Sequence, residues 1–261
     1  MTLTRSQTSE LLTRHGLAPR RSFGQNFVVE PETVRRIATL ARVGKGDHVL
    51  EIGAGLGTDL AQYARHGANV TDLDLSATHL LRARENFELR GLRGRFFHHD
   101  AESLPFPDAS FDVVYCNGVL HHTPNTQLAI NEIFRVLRPG GRVIAMVYAE
   151  NSLNYWRNVV GYQGLLGGRI HNWSIWRIMS ESVEISRSGA RPLVKVYTAA
   201  TLRKMFDRFS DIEVYKRQLT ASEIPMVLRW LPPGLLERLF GWNLIVKGKK
   251  LTNSDPNNAA A

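Results

Sequence analysis

A glycine-rich loop and an acidic residue beyond it are the first features of the sequence that could do chemistry. Residues 49–60, VLEIGAGLGTDL, read as a strand, then Gly53-x-Gly55-x-Gly57, then the start of a helix. Glycine permits a tight turn and lets a ligand lie directly against the backbone. The next predicted strand ends at Asp74, which is placed to accept hydrogen bonds from both hydroxyls of a ribose. The spacing predicts a nucleotide-like ligand, with a tight turn that binds nothing as the alternative.

The loop departs from the dinucleotide-binding fingerprint GxGxxG. Thr58 stands where that fingerprint has its last glycine, and Asp59 follows, where a carboxylate would compete with a pyrophosphate for the helix N-terminus. Asp72 lies on the same face of the strand as Asp74 and could compete for the ribose. We prefer Asp74 because Ser76 follows it as a suitable N-cap of the next helix. A simple capping role for Asp74 is the alternative.

Two adjacent histidines, His121 and His122, are the candidates for a general base. They lie in CNGVLHHTPN, residues 116–125, directly after a predicted strand. Either ring could deprotonate a hydroxyl or an activated carbon, and we place His121 slightly ahead. The alternative is that both histidines pack or bond the backbone. We predict no metal site, because the pairs His98-His99 and His121-His122 lack the i, i+4 spacing of a helical site.

Strand and helix patterns alternate over residues 49–149. The strand patterns are HVLEIG, ANVTDLDLS, SFDVVYCNGVL and GRVIAMVYA, and the helical ones are TDLAQYARHG, SATHLLRARENFELRG and TQLAINEIFRVLRPGG. Alternation at these lengths indicates a parallel α/β sheet with helices on both faces. Residues 150–197 depart from this alternation of strands and helices, since they contain aromatic and glycine-rich stretches. We predict that they form an insertion over the site. Residues 198–250 then read as helix, strand, helix and strand.

The charge of the chain is unevenly distributed. The formal net charge is +9; residues 1–48 hold 8 Lys/Arg and 4 Asp/Glu, residues 49–149 hold 9 and 11, and residues 150–250 hold 16 and 8. Solvated, arginine-rich faces explain the basic flanks most simply. The sharper interpretation is an anionic partner, either nucleic acid or an anionic membrane surface contacted peripherally.

The composition excludes a disulfide framework, since Cys116 is the only cysteine. One cysteine favours a reducing compartment, and we predict a cytoplasmic protein. No stretch approaches 18 apolar residues, so we predict no transmembrane segment. The polar and small residues of 251–261 predict a disordered tail.

Several ordered motifs resemble those of class I S-adenosylmethionine-dependent methyltransferases. They are EIGAGLG from Glu51, the acid Asp74 in TDLDLS, HDAESLPFPDASFDVV from His99, and EIFRVLRPGG from Glu132. Residues 98–147 are especially similar to the ubiquinone/menaquinone-biosynthesis and type 11 methyltransferases. The resemblance implies S-adenosylmethionine as the cofactor.

The same resemblance implies the architecture. It predicts an α/β, doubly wound seven-stranded sheet, a Rossmann-like methyltransferase fold, with the last strand antiparallel. A helical N-terminal cap would occupy residues 1–45, the cofactor-binding core residues 46–149, and an insertion or lid after strand 5 residues 150–197. Residues 198–250 would complete the sheet. The implied cofactor-binding residues are Glu51, the two glycines Gly53 and Gly55 at the methionine part, Asp74 at the ribose, Asp100 and Ala101 at the adenine, and Asn117 and Gly118 near the reacting methyl.

The segment before the glycine loop resembles a second family. RRSFGQNFVVEPETVRRI, residues 20–37, is similar to the start of ribosomal RNA adenine dimethyltransferases, which implies that Gln25, Asn26 and Val28 contact the cofactor. That family's fourth motif reads Asn-Leu-Pro-aromatic, and its aromatic residue stacks on a flipped-out base. Residues 117–120 read Asn-Gly-Val-Leu, so the proline and the aromatic residue are missing. The segment therefore predicts cofactor capping rather than RNA binding.

The leading hypothesis from the sequence is a methyltransferase acting on a small-molecule or lipid-like acceptor. Methylation of an RNA adenine ranks second. A protein that binds S-adenosylmethionine without transferring its methyl group ranks third.

Overall fold

The computed structural model describes residues 41–182, 192–219 and 223–252. One sheet dominates it, and its main path runs β3-β2-β1-β4-β5-β8-β7. The strands are β1 (His48–Ile52), β2 (Asn69–Asp74), β3 (Arg95–His98), β4 (Phe111–Asn117), β5 (Leu137–Ala149), β6 (Val196–Tyr197), β7 (Ser210–Arg217) and β8 (Asn243–Lys249).

The strand directions match the predicted fold. Strands β1 to β5 are parallel to one another, and β8, the last strand in the chain, is antiparallel to both β5 and β7. The doubly wound sheet with an antiparallel last strand is therefore confirmed. The sheet also carries an eighth strand, because the two residues of β6 pair in parallel with the end of β5. The edge strand β3 was not among the strands that the pattern indicated; only two of its side chains are partly buried.

Six α-helices accompany the sheet in the described part of the chain. They are α1 (Thr58–Arg65), α2 (Ala77–Leu89), α3 (Thr126–Val136), α4 (Ile175–Ser182), α5 (Ala199–Met205) and α6 (Pro233–Phe240). Side-chain caps begin three of them: Ser76 before α2, Asn125 before α3 and Thr198 before α5 each accept from a backbone N–H of the first turn. Such caps satisfy backbone donors that the helix itself leaves unpaired.

Both faces of the central strands are buried. Leu50 and Ile52 of β1 belong to one apolar cluster, whereas Val49 belongs to the cluster on the other face. A strand covered by helices on both faces needs apolar residues at nearly every position, which explains the continuous runs in the sequence. The exception is Glu51, a buried carboxylate in the middle of this core.

A third apolar cluster lies after β5. A π-helical segment, Tyr155–Leu166, and helix α4 pack together with Val194 and β6, and Trp242 just before β8 packs against the same cluster. The segment predicted as an insertion is thus built against the C-terminal part of the chain. None of the helices in the described ranges is long and apolar enough to cross a membrane.

The two ends of the predicted domain scheme fall largely outside the described residues. Only residues 41–45 of the predicted N-terminal cap are described, and Arg142 donates from Nη2 to the backbone carbonyls of Ala41 and Arg42. The predicted disordered tail lies outside the described residues beyond residue 252.

Candidate functional site

The predicted site positions meet along one edge of the sheet. Strands β3, β2, β1 and β4 are parallel neighbours, so their carboxyl ends lie side by side; Ile52 is level with both Leu73 and Cys116. The glycine loop and the Asp100 segment each follow one of these strands, and Asp74 and Asn117 each end one. Ligands of open α/β sheets bind at this carboxyl edge.

The glycine loop has a backbone that only glycine adopts readily. Gly53, Gly55 and Gly57 have φ angles of +73°, +57° and +67°. The N–H of Gly53 donates to the carbonyl of Leu73 at 2.7 Å, and a Cβ at Gly53 would overlap the Val119 side chain. A Cβ at Gly55 would meet nothing within 4 Å. Gly53 is therefore needed for packing, and Gly55 is where the backbone is open to a ligand.

Buried carboxylates lie below this loop. Asp72 is fully buried, and its Oδ1 accepts from the N–H of Ala54 at 3.3 Å. Burial, reinforced by the charge of Asp74, raises the pKa of Asp72 to about 7. Burial also raises the pKa of Glu51 well above its usual range, with Asp59 and Asp72 adding to the shift and the N–H of Leu60 opposing it.

Two oxygens of these carboxylates, Oε2 of Glu51 and Oδ2 of Asp72, have no hydrogen-bond partner among the described residues. Unpaired buried charge is costly, and a cation placed beside it would relieve that cost. S-adenosylmethionine carries a sulfonium and an ammonium group, so the acidic floor that Glu51 and Asp72 form under an open glycine loop fits it.

Asp59, which the sequence placed at the N-terminus of α1, belongs to the same buried group. Its Oδ2 accepts from the hydroxyl of Tyr115 at 3.1 Å, and the ring of Tyr63 lies edge-on to Tyr115 with centroids 5.7 Å apart. The sequence analysis assigned neither tyrosine to this group. The signal for Tyr115 was the alternation of β4, where it faces the same side as Val113 and opposite to Cys116.

Asp74 is positioned by backbone and by a histidine. Its Oδ1 accepts from the N–H of Ser76 at 2.8 Å, and its Oδ2 lies 3.3 Å from Nδ1 of His79. The side chain of Ser76 accepts from the N–H of His79, so the predicted N-cap is confirmed. His79 was not predicted as a site residue, although it lies in the first turn of the helix that Asp74 precedes.

The remaining cofactor positions also lie at the carboxyl edge. Asp100 is exposed, and its Oδ1 accepts from the N–H of Glu102 at 2.9 Å, while Ala101 beside it is buried. Asn117 is exposed at the end of β4, and Gly118 follows with a φ of +77° and an N–H bond to Met146. Gln25, Asn26 and Val28 lie outside the described residues.

The two candidate bases differ in exposure. The ring of His121 is fully buried between His122 and Tyr148, with centroid distances of 4.1 Å and 4.0 Å, and Tyr148 in turn stacks on Trp242 at 4.5 Å. His122 is half-buried, and its Nδ1 lies 2.6 Å from the carbonyl oxygen of Leu193. A carbonyl only accepts, so Nδ1 of His122 is the donor and Nε2 carries the lone pair of the neutral ring.

Residues 193–195 hold in place the loop after β4 that carries His121 and His122. The N–H of Lys195 donates to the carbonyl of His121 at 3.0 Å, and its Nζ donates to the carbonyls of Thr123 and Pro124 at 2.9 Å and 2.7 Å. The segment between β5 and β6 therefore fixes the loop after β4. Among the described residues, no group of three or more His, Cys, Asp or Glu side chains could hold a metal ion.

Comparison with known proteins gives a consistent picture. A family model described as a methyltransferase domain matches residues 50–145. The chain is 33% identical over 189 residues to a demethylmenaquinone methyltransferase of Thermus thermophilus, covering 67% of this chain and 82% of that protein. It is 29% identical over 175 residues to a ubiquinone biosynthesis O-methyltransferase of Coxiella burnetii, covering 65% of this chain and 75% of that one.

Solved structures share the fold at lower identity. A SAM-dependent methyltransferase of Methanosarcina mazei superposes with a TM-score of 0.58 at 19% identity, covering 82% of this chain and 98% of that one. At this identity the likeness concerns the fold, and the arrangement of strands is the part that it supports.

Proposed function

The chain belongs to the class I S-adenosylmethionine-dependent methyltransferases, and we propose that it transfers the methyl group to a small, largely apolar or lipid-like acceptor. Membership of the family makes S-adenosylmethionine the cofactor and the protein a transferase. The acceptor is the part we propose. Two of its relatives are named for demethylmenaquinone and for ubiquinone biosynthesis, which supports a small molecule rather than a macromolecule.

The acidic floor would hold the charged end of the cofactor. Bound S-adenosylmethionine supplies an electrophilic methyl group on a positively charged sulfonium. Glu51 and Asp72 counter the positive charge, while Gly55 lets the ligand lie against the backbone. Asp74 and its neighbour His79 suit the ribose hydroxyls, because each carboxylate oxygen keeps a second lone pair beside its present bond.

The other cofactor contacts are carried over from the family resemblance. Asp100 and Ala101 would hold the adenine, and Asn117 and Gly118 would lie near the reacting methyl. Gln25, Asn26 and Val28 would cover the cofactor from the N-terminal side.

The observation that carries the acceptor class is the aromatic stack beside the end of β4. The ring of His121 lies tilted against Tyr148, which stacks on Trp242, and the third apolar cluster continues from these rings into the π-helical segment. Such a wall suits a flat or apolar acceptor and keeps water from the reacting atoms. We assign residues 150–197 the role of a lid over this acceptor site.

We assign the proton-accepting role to His122 before His121. Methyl transfer needs a base only where the acceptor must lose a proton, and such a base must be reachable. The half-buried His122 has its tautomer set by Leu193, so that Nε2 is the accepting atom. The buried ring of His121 would then act as packing that orients its neighbour.

An RNA adenine acceptor finds less support. The aromatic residue that would stack on a flipped base is replaced by Leu120, whose side chain is fully buried. A leucine closed into the core can offer no stacking surface.

The deciding experiment is transfer of a labelled methyl group from S-adenosylmethionine to fractionated cell extract. We expect label in the small-molecule and lipid fractions, and His122→Asn is the control that should lose it. Label confined to RNA would establish the adenine methyltransferase instead. Cofactor binding without label in any fraction would establish the non-catalytic alternative.

A further inference from the structure

Large apolar side chains are exposed along the π-helical segment. Bonding between residues five apart places roughly every fourth or fifth residue on the same face. The buried face holds Tyr155 and Val159. Trp156, Tyr162, Leu165 and Leu166 are exposed instead, with exposed fractions from 58% to 83%. The segment therefore carries large apolar side chains both against the protein and toward solvent, where Arg157 and Asn158 are exposed as well.

A second exposed apolar set lies in the segment before β8. Met226, Val227 and Trp230 are 81%, 76% and 79% exposed, and Leu235 and Leu239 of helix α6 are about half exposed. Single exposed apolar residues are normal, but a group of this size marks an interaction surface.

The two sets are neighbours in space. Nη1 of Arg157, on the π-helical segment, donates to the carbonyl of Glu223 at 3.0 Å. Nζ of Lys216 donates at 2.7 Å each to the carbonyl of Asn151, five residues before Trp156, and to the carbonyl of Leu239 at the end of the second set. We call the combined surface of residues 156–166 and 226–239 the apolar rim.

The apolar rim lies at the carboxyl edge of the sheet. Asn243, which begins β8, is level with Tyr148 near the end of β5 and with Arg217 at the end of β7. The segments that precede β8 and follow β5 therefore emerge at the edge where β4 ends in Asn117. The rim thus shares an edge with the proposed acceptor site.

The surroundings of the rim are basic. Residues 151–182 and 223–242 contain five arginines and three glutamates. Two of these arginines, Arg169 and Arg177, lie over the ring of Trp173 at 5.3 Å and 4.5 Å from its centroid. Exposed tryptophan, leucine and arginine together are the composition of surfaces that lie in the interface of an anionic bilayer.

We propose that the apolar rim docks on an anionic lipid membrane, so that the acceptor site opens toward the bilayer. The inference rests on the proposed lipid-like acceptor, which would reach the site without crossing water. A second copy of this chain suits the rim less well, because pairing two rims would bring together two surfaces that both carry more arginines than glutamates. Apolar side chains would enter the headgroup region while arginines contact lipid phosphates.

Vesicle flotation of the full-length protein tests the proposal. Vesicles of phosphatidylcholine alone are compared with vesicles that contain phosphatidylglycerol, at low and high salt. We expect binding to the anionic vesicles that weakens as salt rises, since exposed charge interactions are screened. The double variant Met226→Ser, Trp230→Ser should weaken binding by at least about tenfold, because both side chains lose their apolar insertion.

Leu89→Ser is the matched control, because Leu89 is an equally exposed apolar residue, 88% exposed, on helix α2. It should bind vesicles as the unchanged protein does. Equal vesicle binding by the rim variant, or none by the unchanged protein, would overturn the proposal. So would a rim-dependent dimer in size-exclusion chromatography, which would assign the rim to a second copy. Vesicle binding without any methylated lipid or small molecule would leave docking intact and remove the proposed acceptor instead.

Discussion

Residues 46–149 and residues 150–250 differ in which side chains they bury and which they expose. The first region is slightly acidic and buries charged groups, with Glu51 and Asp72 enclosed below the glycine loop. The second region is strongly basic and exposes large apolar groups, with Trp230 79% exposed. Each arrangement costs free energy in the isolated protein and is relieved by a ligand of matching character. The comparison indicates that the first region is built for a cation and the second for an apolar partner.

The two regions also differ in how their site residues are held. Backbone geometry positions the first region's groups, as in the bond of Gly53 to Leu73 and the bond of Asp74 to Ser76. In the second region, exposed side chains make few contacts that the fold needs. Substitutions in the first region should therefore change cofactor affinity, and substitutions in the rim should leave it unchanged.

The largest effect is expected at the junction of the two regions. His122→Asn should lower kcat by about 10²- to 10⁴-fold, because a positioned general base contributes that much. Cofactor affinity, measured by calorimetry, should stay within about twofold, since the ring lies on the acceptor side. An unchanged kcat would remove the base assignment, and a parallel loss in His121→Asn with normal stability would return the role to His121.

A substitution in the glycine loop should weaken cofactor binding by the first region. Gly53→Ala places a Cβ against Val119 and forces alanine to a φ of +73°, which alone costs about 1–2 kcal/mol. We expect cofactor affinity to fall by about ten- to a hundredfold. Gly46→Ala is the control, because Gly46 has a φ of +90° but open space around it and lies at the opposite edge. Equal cofactor affinity in the two variants would contradict the packing argument.

The ribose assignment should respond more moderately. Asp74→Ala removes a charged acceptor, and a hydrogen bond to a charged group is worth about 1.5–3 kcal/mol, so cofactor affinity should fall at least about tenfold. Calorimetry measures it directly. Affinity retained in Asp74→Ala would remove the ribose assignment. A loss in Asp72→Ala is expected in either case, because Asp72 counters the positive charge of the cofactor.

The smallest expected effect is a pH dependence of stability and of cofactor affinity that comes from the buried Asp72. The folded protein keeps a proton on Asp72 up to about pH 7, whereas an ordinary aspartate with a pKa of 3.8 releases it. Folded protein thus binds more protons than unfolded chain, so the stability of cofactor-free protein should fall as pH rises through this window. Affinity for the positively charged cofactor should rise over the same window, because it binds the ionised carboxylate.

Thermal unfolding and calorimetry at pH 5 and pH 8 check this expectation. Asp72→Asn should reduce both pH dependences, with the raised pKa of Glu51 leaving the remainder, and should raise the unfolding temperature of cofactor-free protein at pH 8. Glu88→Gln, at an exposed position on helix α2, is the control that should leave both dependences in place. An unchanged pH dependence in Asp72→Asn would exclude this carboxylate as their source.

Much of the first region was predictable because its signals are local. The glycine spacing, Asp74 at a strand end and the cap at Ser76 each depend on a few neighbouring residues, and the strand pattern predicted the parallel sheet. The Tyr115 hydroxyl bond to Asp59 was not predictable, because 56 positions of chain separate the two residues. The two-residue strand β6 was not predictable either, because so short a strand shows no alternation of apolar and polar residues.

The sequence by itself determined the fold class, the family and the edge of the sheet where the cofactor positions fall, because glycines, strand ends and apolar periods act over short distances. Only the tertiary structure decided which histidine is buried and which tautomer its neighbour adopts. Those outcomes depend on Leu193 and Lys195, which reach the loop from over 70 positions away. The structure also turned scattered tryptophans and leucines into one rim, since exposure is decided by packing and not by residue type.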